Sequence, residues 1–289
     1  MQVCIVAHLK SYKVEFYRSC VWKGEIKTEE DFIKDNSVYN LDAIDFIHCL
    51  YEDYGDESID MFLCDFPYTF KGKNRVTANK WDLPIDDKEF FELAMKMLTP
   101  EGAIVLTASQ PFTSYLVSNH LDSFKYEWIW EKDNGSNFAQ TGHQPFKVHE
   151  SLLVFGKAPT SYNKAEKYMM YNPQFSEGKP YKIKRSGMTE NLATASGYER
   201  TDGEYEGKRF PRSVLKFNRE VGLHPTQKPT KLFEYMIKTY TNIGGRVVDI
   251  CCGSGTTAIA AKNTDRIYIV NDKEMKYVDI TEERLRKLA

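Results

Sequence analysis

The sequence predicts an α/β fold built on a mostly parallel, doubly wound sheet. Three observations predict it. Mostly apolar runs of strand length, such as Ile59-Asp60-Met61-Phe62-Leu63-Cys64, suit strands covered on both faces. Segments of helical period alternate with those runs in two blocks. A glycine-rich turn at 251–257 joins one such strand to a helix.

In the first block a short strand at 38–41 ends at Asp42, and helical spacing follows over 43–51. The strand 59–64 stops at Asp65, and a loop punctuated by Pro and Gly leads to a helix at about 86–98. Thr99-Pro100-Glu101-Gly102 reads as a turn into a strand at 103–108. A helix at about 111–120 and two aromatic strands, 126–131 and 150–155, close the block. The second block opens near Lys228 with a helix to Tyr240 and a Gly244-Gly245 turn. A strand at 246–250, the glycine loop, a helix from Thr256, a strand at 266–270 and a helix at 274–288 complete it.

A chain of 289 residues has length enough for one large domain or two modest ones. No apolar run approaches the roughly 18–20 residues of a membrane span, so a membrane-spanning helix is excluded. The first residues are apolar but lack a basic leader segment, so no secretory signal is expected and the site of action is the cytoplasm. The six cysteines form no C-x-x-C pair and have no His partners at metal-ligand spacing. A reducing compartment is expected, and no metal.

The net charge of -2 argues against a nucleic-acid partner only as an average. Residues 157–231 carry 15 Lys and Arg against 8 Asp and Glu, a net of +7, so the remainder carries -9. That stretch is polar and punctuated by glycine. It reads either as a solvated surface insertion or as a basic surface tracking phosphates. Tyrosines interleave with its cations, which suits nucleic acid and equally suits a small core of its own.

The strand 247–250 runs into Cys251-Cys252-Gly253-Ser254-Gly255-Thr256-Thr257. Such a turn lets a ligand approach the backbone and exposes the N–H groups of the helix that follows. Gly253–Ala258 matches G-x-G-x-x-G/A, with Asp272 19 residues beyond Gly253 and so placed for a ribose hydroxyl. A nicotinamide dinucleotide is one reading of that match. No Lys follows the glycines, which excludes a P-loop. Asp249 at the mouth of the turn would repel a pyrophosphate and attract a cationic ligand, and S-adenosylmethionine offers an amino group, a sulfonium and a ribose.

Asp65-Phe66-Pro67-Tyr68 resembles the D-P-P-Y tetrad of amino-group DNA methyltransferases. Asp249–Thr257 resembles their glycine loop, and His224-Pro225-Thr226-Gln227-Lys228-Pro229 is identical to a motif that often precedes that loop. The stretch from Arg266 to Leu285 follows the family's closing line. Trp81-Asp82, Ser109-Gln110-Pro111-Phe112, Trp130-Glu131-Lys132 and His149-Glu150 are similar to segments of its phage-like, adenine-specific members. With the tetrad ahead of the glycine loop, the order is the circularly permuted one called the β class.

The resemblance covers about 37–289 and implies a Rossmann-like methyltransferase sheet. Its catalytic half is 37–156, its target-recognition insertion 157–223 and its cofactor half 224–289. Residues 1–36 match nothing familiar and read as an accessory segment. The implied activity is methyl transfer from S-adenosylmethionine to adenine N6 of a base flipped from double-stranded DNA, leaving S-adenosylhomocysteine. Cytosine-N4 transfer and a catalytically silent DNA-binding relative are the alternatives. Asp rather than Ser at the head of the tetrad points to adenine.

By this resemblance, Asp65 and the Phe66 carbonyl accept the amine's N–H groups, while Pro67 shapes the loop and Tyr68 stacks on the base. Asp249, Cys251, Gly253, Ser254, Gly255, Thr256, Thr257, Asp272 and Asp42 form the cofactor site, where Asp42 reads equally as a helix cap. His224 and Lys228 shape the cofactor or base pocket. Lys71, Lys73 and Arg75, in the loop after the tetrad, and Lys182, Lys184, Arg185, Lys208, Arg209 and Arg212 are expected on phosphates. A homodimer and a separate restriction endonuclease stay open as partners. Phe66 departs from the family's proline. Because Pro67 still biases it toward an extended backbone, Phe66→Pro is expected to retain or raise transfer.

Overall fold

The computed structural model describes residues 21–22, 25–26, 32–69, 83–135, 137–161, 165–183, 203–220, 222 and 227–288. Its centre is an eight-stranded sheet. In chain order the strands are β1 (Ser37–Tyr39), β2 (Ile59–Cys64), β3 (Leu98–Ala108) and β4 (Phe124–Glu131). They continue as β5 (His149–Phe155), β6 (Val214–Lys216), β7 (Arg246–Asp249) and β8 (Ile267–Asn271). Their spatial order is β6-β4-β5-β3-β2-β7-β8-β1. Only β5 runs against its neighbours among these strands; every other adjacent pair is parallel.

Six helices cover the two faces among the described residues: α1 (Ala43–Tyr54), α2 (Asp87–Met97), α3 (Phe112–Asn119), α4 (Thr230–Tyr240), α5 (Thr256–Asn263) and α6 (Met275–Arg286). Alternation along β2 and β3 sorts the core. Phe62, Cys64, Ile104 and Leu106 face α1, α2 and α3, whereas Met61, Leu63, Ala103 and Val105 face α4 and α5. Both faces are dry, which is why these strands read as continuous apolar runs. None of the described helices is long and apolar enough to cross a membrane.

The expected turn at 99–102 lies inside β3. Ile59 pairs with Leu98 and Met61 with Ala103, so four residues stand opposite Asp60 alone. A side chain on Gly102 would meet the Asp60 carbonyl oxygen at 2.8 Å, so the turn chemistry makes a large bulge rather than a break. The strand β6 was not expected. It lies in the basic stretch and adds an edge to the main sheet beside β4. Met169 is buried against the domain, and the amides of Met170 and Asn172 bond the carbonyls of Glu101 and Thr239. Two short antiparallel ribbons, Ser176–Glu177 with Lys208–Arg209 and Tyr181–Ile183 with Gly203–Tyr205, are the other strand pairs of the described insertion.

The sheet reverses its direction of winding between β2 and β7. The chain moves outward from β2 through α2 to β3, and in the opposite sense from β7 through α5 to β8. A crevice at the carboxyl ends of the strands belongs at such a switch point. Asn271, wholly buried at the end of β8, holds that edge together. Its Oδ1 accepts the Leu41 amide at 2.9 Å, and its Nδ2 donates to the carbonyls of Leu41 and Ile250, both at 3.0 Å.

Asn271→Ala would leave those buried backbone groups unpaired, at a cost of about 2–4 kcal/mol. Urea unfolding of the cofactor-free chain should show that loss, and a change below about 0.5 kcal/mol would mean that water replaces the amide.

Candidate active site

A cavity of about 930 Å³ opens at the carboxyl ends of β2 and β7. Asp65, Tyr68, Lys228 and Glu150 line one end, and Asp249, Gly253, Asp272 and Asp42 the other.

At the second end, β7 delivers Asp249 into the interior, where it is 1 % exposed. Its carboxylate accepts the Cys251 amide at 3.1 Å and the Thr257 hydroxyl at 2.5 Å. Burial pushes the Asp249 carboxyl from 3.8 up to about 7, although both of those bonds pull it down. No cation sits on Asp249 among the described residues. A buried carboxylate held this way is suited to a cationic ligand, whose charge would restore its ionised form. Gly255 is left-handed at φ 79° as the residue before α5, and an added side chain would collide with Thr281. Cys251 donates its thiol to the Asp65 carbonyl at 3.6 Å, and burial pushes that thiol well up, so it packs as a neutral group.

Asp272 holds the loop from the neighbouring strand: the amides of Gly253 and Glu274 donate to its two oxygens at 2.8 and 2.9 Å. Asp42 caps α1 through the Ile44 amide at 3.1 Å, and it lines the cavity. Burial raises the Asp42 carboxyl, but its ion pair with Lys273 holds it below the usual range. Ser254, Thr256 and Thr257 are buried in the loop and the first turn of α5. The donor set therefore fits S-adenosylmethionine: one buried acid, a glycine loop at a helix start, and a second acid on the next strand.

At the first end, both Asp65 oxygens are engaged: Thr107 donates its hydroxyl to one, and Lys228 Nζ lies 2.6 Å from the other. Lys228 thus sits on the acid of the tetrad, not in the cofactor end of the cavity. Its Nζ is also 3.5 Å from Glu150, which takes a second ion pair from Lys132 and the Tyr68 hydroxyl at 2.9 Å. Burial raises the Glu150 carboxyl, yet Lys228 and Lys132 hold it at about 2. Burial beside Asp65 and Glu150 pushes the Tyr68 phenol well up, so it remains neutral. The Tyr68 ring stacks on Phe112 at 5.9 Å between centroids.

Thr107, Lys132 and Glu150 had no assigned role from sequence. They reach the site from β3, from the end of β4 and from β5, so only the pairing of those strands shows it. His149 begins β5 and is exposed. Lys71, Lys73, Arg75, Lys184, Arg185 and His224 lie outside the described residues. Of the other basic candidates, Lys182 pairs with Glu204, and Arg209 lies 4.1 Å from the Tyr181 ring centre and donates to the Lys179 carbonyl. Lys208 and Arg212 are exposed.

Phe66 is 2 % exposed, and its ring meets Phe90 edge-on with centroids 4.9 Å apart. The core therefore anchors the loop through this side chain. The expectation for Phe66→Pro changes accordingly: emptying the site should cost about 3–5 kcal/mol, seen as a lower urea midpoint, with methyl transfer reduced rather than raised.

Asp249 makes stability depend on pH. Its native pKa is raised, so its contribution is present below 3.8 and is lost as pH rises through about 7. Asp249→Asn removes this term. The cofactor-free variant should lose less stability between pH 4 and 8 and be more stable at pH 8 by up to about 4 kcal/mol. Equal pH slopes in urea titrations would contradict the assignment.

Comparison with known proteins agrees with this geometry. The N6/N4 DNA methylase family model matches residues 59–283. The type II methyltransferase M.HpaI of Haemophilus parainfluenzae is 26% identical over 244 residues, spanning 80% of this chain and 69% of that protein. The DNA adenine methyltransferase YhdJ of Escherichia coli (strain K12) is 26% identical over 245 residues, 79% of this chain and 76% of that one. In fold, the chain resembles the cytosine-N4-specific PvuII DNA methyltransferase, at TM-score 0.61 and 16% identity over 88% of this chain and 87% of that one. The M1.HpyAVI–SAM complex aligns at TM-score 0.54 and 24% identity, over 86% and 98%. Joined in one crevice, the tetrad and the glycine loop lie within the matched span, and the chain belongs to the N6/N4 DNA methylase family.

Proposed function

We propose that this DNA methylase transfers a methyl group from S-adenosylmethionine to the N6 amine of an adenine flipped out of double-stranded DNA. The observation that carries the reading is the shared cavity, which puts Asp65 and Tyr68 at one end and Asp249 at the other. When bound, the cofactor supplies an electrophilic methyl group on a sulfonium, which Asp249 suits by its charge. An exocyclic amine is a poor nucleophile because its lone pair is delocalised into the ring. In this reading Asp65 accepts one N–H and the Phe66 carbonyl the other, favouring the pyramidal amine and stabilising its developing charge. Tyr68, whose ring packs on Phe112, stacks in this reading on the extruded base in place of its former neighbours in the duplex. Adenine is favoured by Asp at the head of the tetrad and by the relative YhdJ, itself a DNA adenine methyltransferase.

Exposed Lys208 and Arg212 in the insertion are proposed to meet phosphates, and Lys71, Lys73 and Arg75 are proposed for the same role from their sequence position after the tetrad. The enzyme would act on DNA in the cytoplasm of a bacterium or a phage-infected cell. Its relatives are named as type II methyltransferases, so a cognate restriction endonuclease on another chain is the partner to seek. A homodimer is the assembly to test alongside it.

The deciding experiment incubates the protein with labelled S-adenosylmethionine and unmethylated genomic DNA, then digests the DNA to nucleosides. Label in N6-methyladenine is expected, and Asp65→Ala should lower transfer at least ~100-fold while S-adenosylmethionine affinity is kept. Label in N4-methylcytosine would overturn the choice of base, and undiminished transfer by Asp65→Ala would overturn the mechanism.

A further inference from the structure

We infer that Lys228 is a positioning residue for methyl transfer, clamped between Asp65 and Glu150 so that it supplies the countercharge of Asp65 and fixes where that carboxylate points. The inference rests on the reading of Asp65 as an acceptor for the target amine, and extends it to a residue outside the tetrad.

The geometry is a chain of alternating charge, Lys132–Glu150–Lys228–Asp65, drawn from four separate segments. Lys228 is 6 % exposed, and its ammonium has a carboxylate on either side. A cation held by one acid could swing with it, whereas one held by two acids on different strands has its place set by the sheet. Lys132 balances the charge of Glu150, so Lys228 remains as countercharge to Asp65. Glu150 also accepts the Tyr68 hydroxyl, so the carboxylate meant for the amine and the ring meant for the base are set against each other through one residue.

The backbone extends the connection. The Lys228 carbonyl accepts the Thr256 hydroxyl at 3.4 Å, which ties the lysine to the first turn of the cofactor-side helix α5. The segment that ends at Pro229 and begins α4 therefore bridges the two ends of the cavity.

The surroundings of Asp65 show why a countercharge is needed. Cys64 comes from β2, Tyr68 from the tetrad loop, Thr107 from β3, Glu150 from β5, Asp249 from β7 and Cys251 from the glycine loop that follows it. All are neutral or acidic, and Lys228 is the cation that touches Asp65 among the described residues. A carboxylate so enclosed and stripped of its cation takes up a proton more readily. A protonated oxygen no longer accepts the amine's N–H.

The test is the pH profile of single-turnover methyl transfer for the full-length protein and two variants, Lys228→Met and Lys228→Arg. Calorimetry with S-adenosylmethionine and a thermal melt monitor folding. In Lys228→Met the acidic limb should move up by at least about one pH unit, a tenfold loss below the limb that is largely recovered at high pH. Lys228→Arg should return the limb toward its original position, with cofactor affinity within about threefold in both. A limb in Lys228→Met that coincides with the original overturns the inference. A loss equal at every pH and shared by a folded Lys228→Arg protein does so too, since it would show only structural damage. If the unaltered protein methylates no base at any pH, the reading of the site itself fails. An active protein with an unshifted Lys228→Met limb defeats only the role given to Lys228.

Discussion

The parallel pairing of β2 with β7 is the constraint on which the rest of the molecule depends. Val247 lies beside Met61 and Val248 beside Phe62, although some 186 residues separate the partners. Because the strands are parallel, their carboxyl ends coincide, and Asp65, just past β2, and Asp249, the last residue of β7, open into one cavity. An antiparallel pairing would have put the tetrad and the glycine loop at opposite edges of the sheet. The apolar runs in these strands are dry on both faces because helices must cross over to return each parallel strand to the same end. Core and site are thus consequences of one topology.

That topology brings several carboxylates to the same buried end of a sheet, and the protein treats them differently. Glu150 is held between two lysines and stays ionised well below the usual range. Asp65 carries Lys228 and a threonine hydroxyl. Asp249 receives only hydrogen bonds, and its carboxyl rises to about 7. The difference suits the ligands that the proposed function gives each end. An acid facing a neutral amine needs its charge secured beforehand, because the amine brings none. An acid facing a cationic ligand can leave its countercharge to that ligand.

What the sequence made legible followed from local chemistry. Residues 59–64 form a strand as read, because a buried parallel strand announces itself by an unbroken apolar run. The glycine loop and tetrad were legible because backbone approach and acceptor geometry demand particular residues at fixed spacing. The turn at 99–102 was misread for a physical reason: Pro and Gly signal a departure from the ladder, and a bulge departs from it as a turn does. The edge strand Val214–Lys216 was invisible because three residues are too few to show a period. Phe66 looked like a weakened proline, since only the fold shows its ring against Phe90. Glu150 and Lys132 stood in segments resembling family members without a role, because their place beside Lys228 exists only once β4, β5 and β3 are paired.

The charge of the insertion follows the same logic at the surface. A net of +7 over 157–231 says nothing about which cations are free to meet phosphate. Arg209 is committed, since its guanidinium lies on Tyr181 of the other ribbon and bonds the Lys179 carbonyl, so it ties the two ribbons together. Lys182 pairs with Glu204, but both side chains are about three-quarters exposed. An ion pair so open to water is worth about 0–1 kcal/mol, less than a lysine gains where it displaces counterions from a phosphate backbone. Lys182 therefore remains available beside Lys208 and Arg212, while Arg209 sets the shape of the surface that carries them.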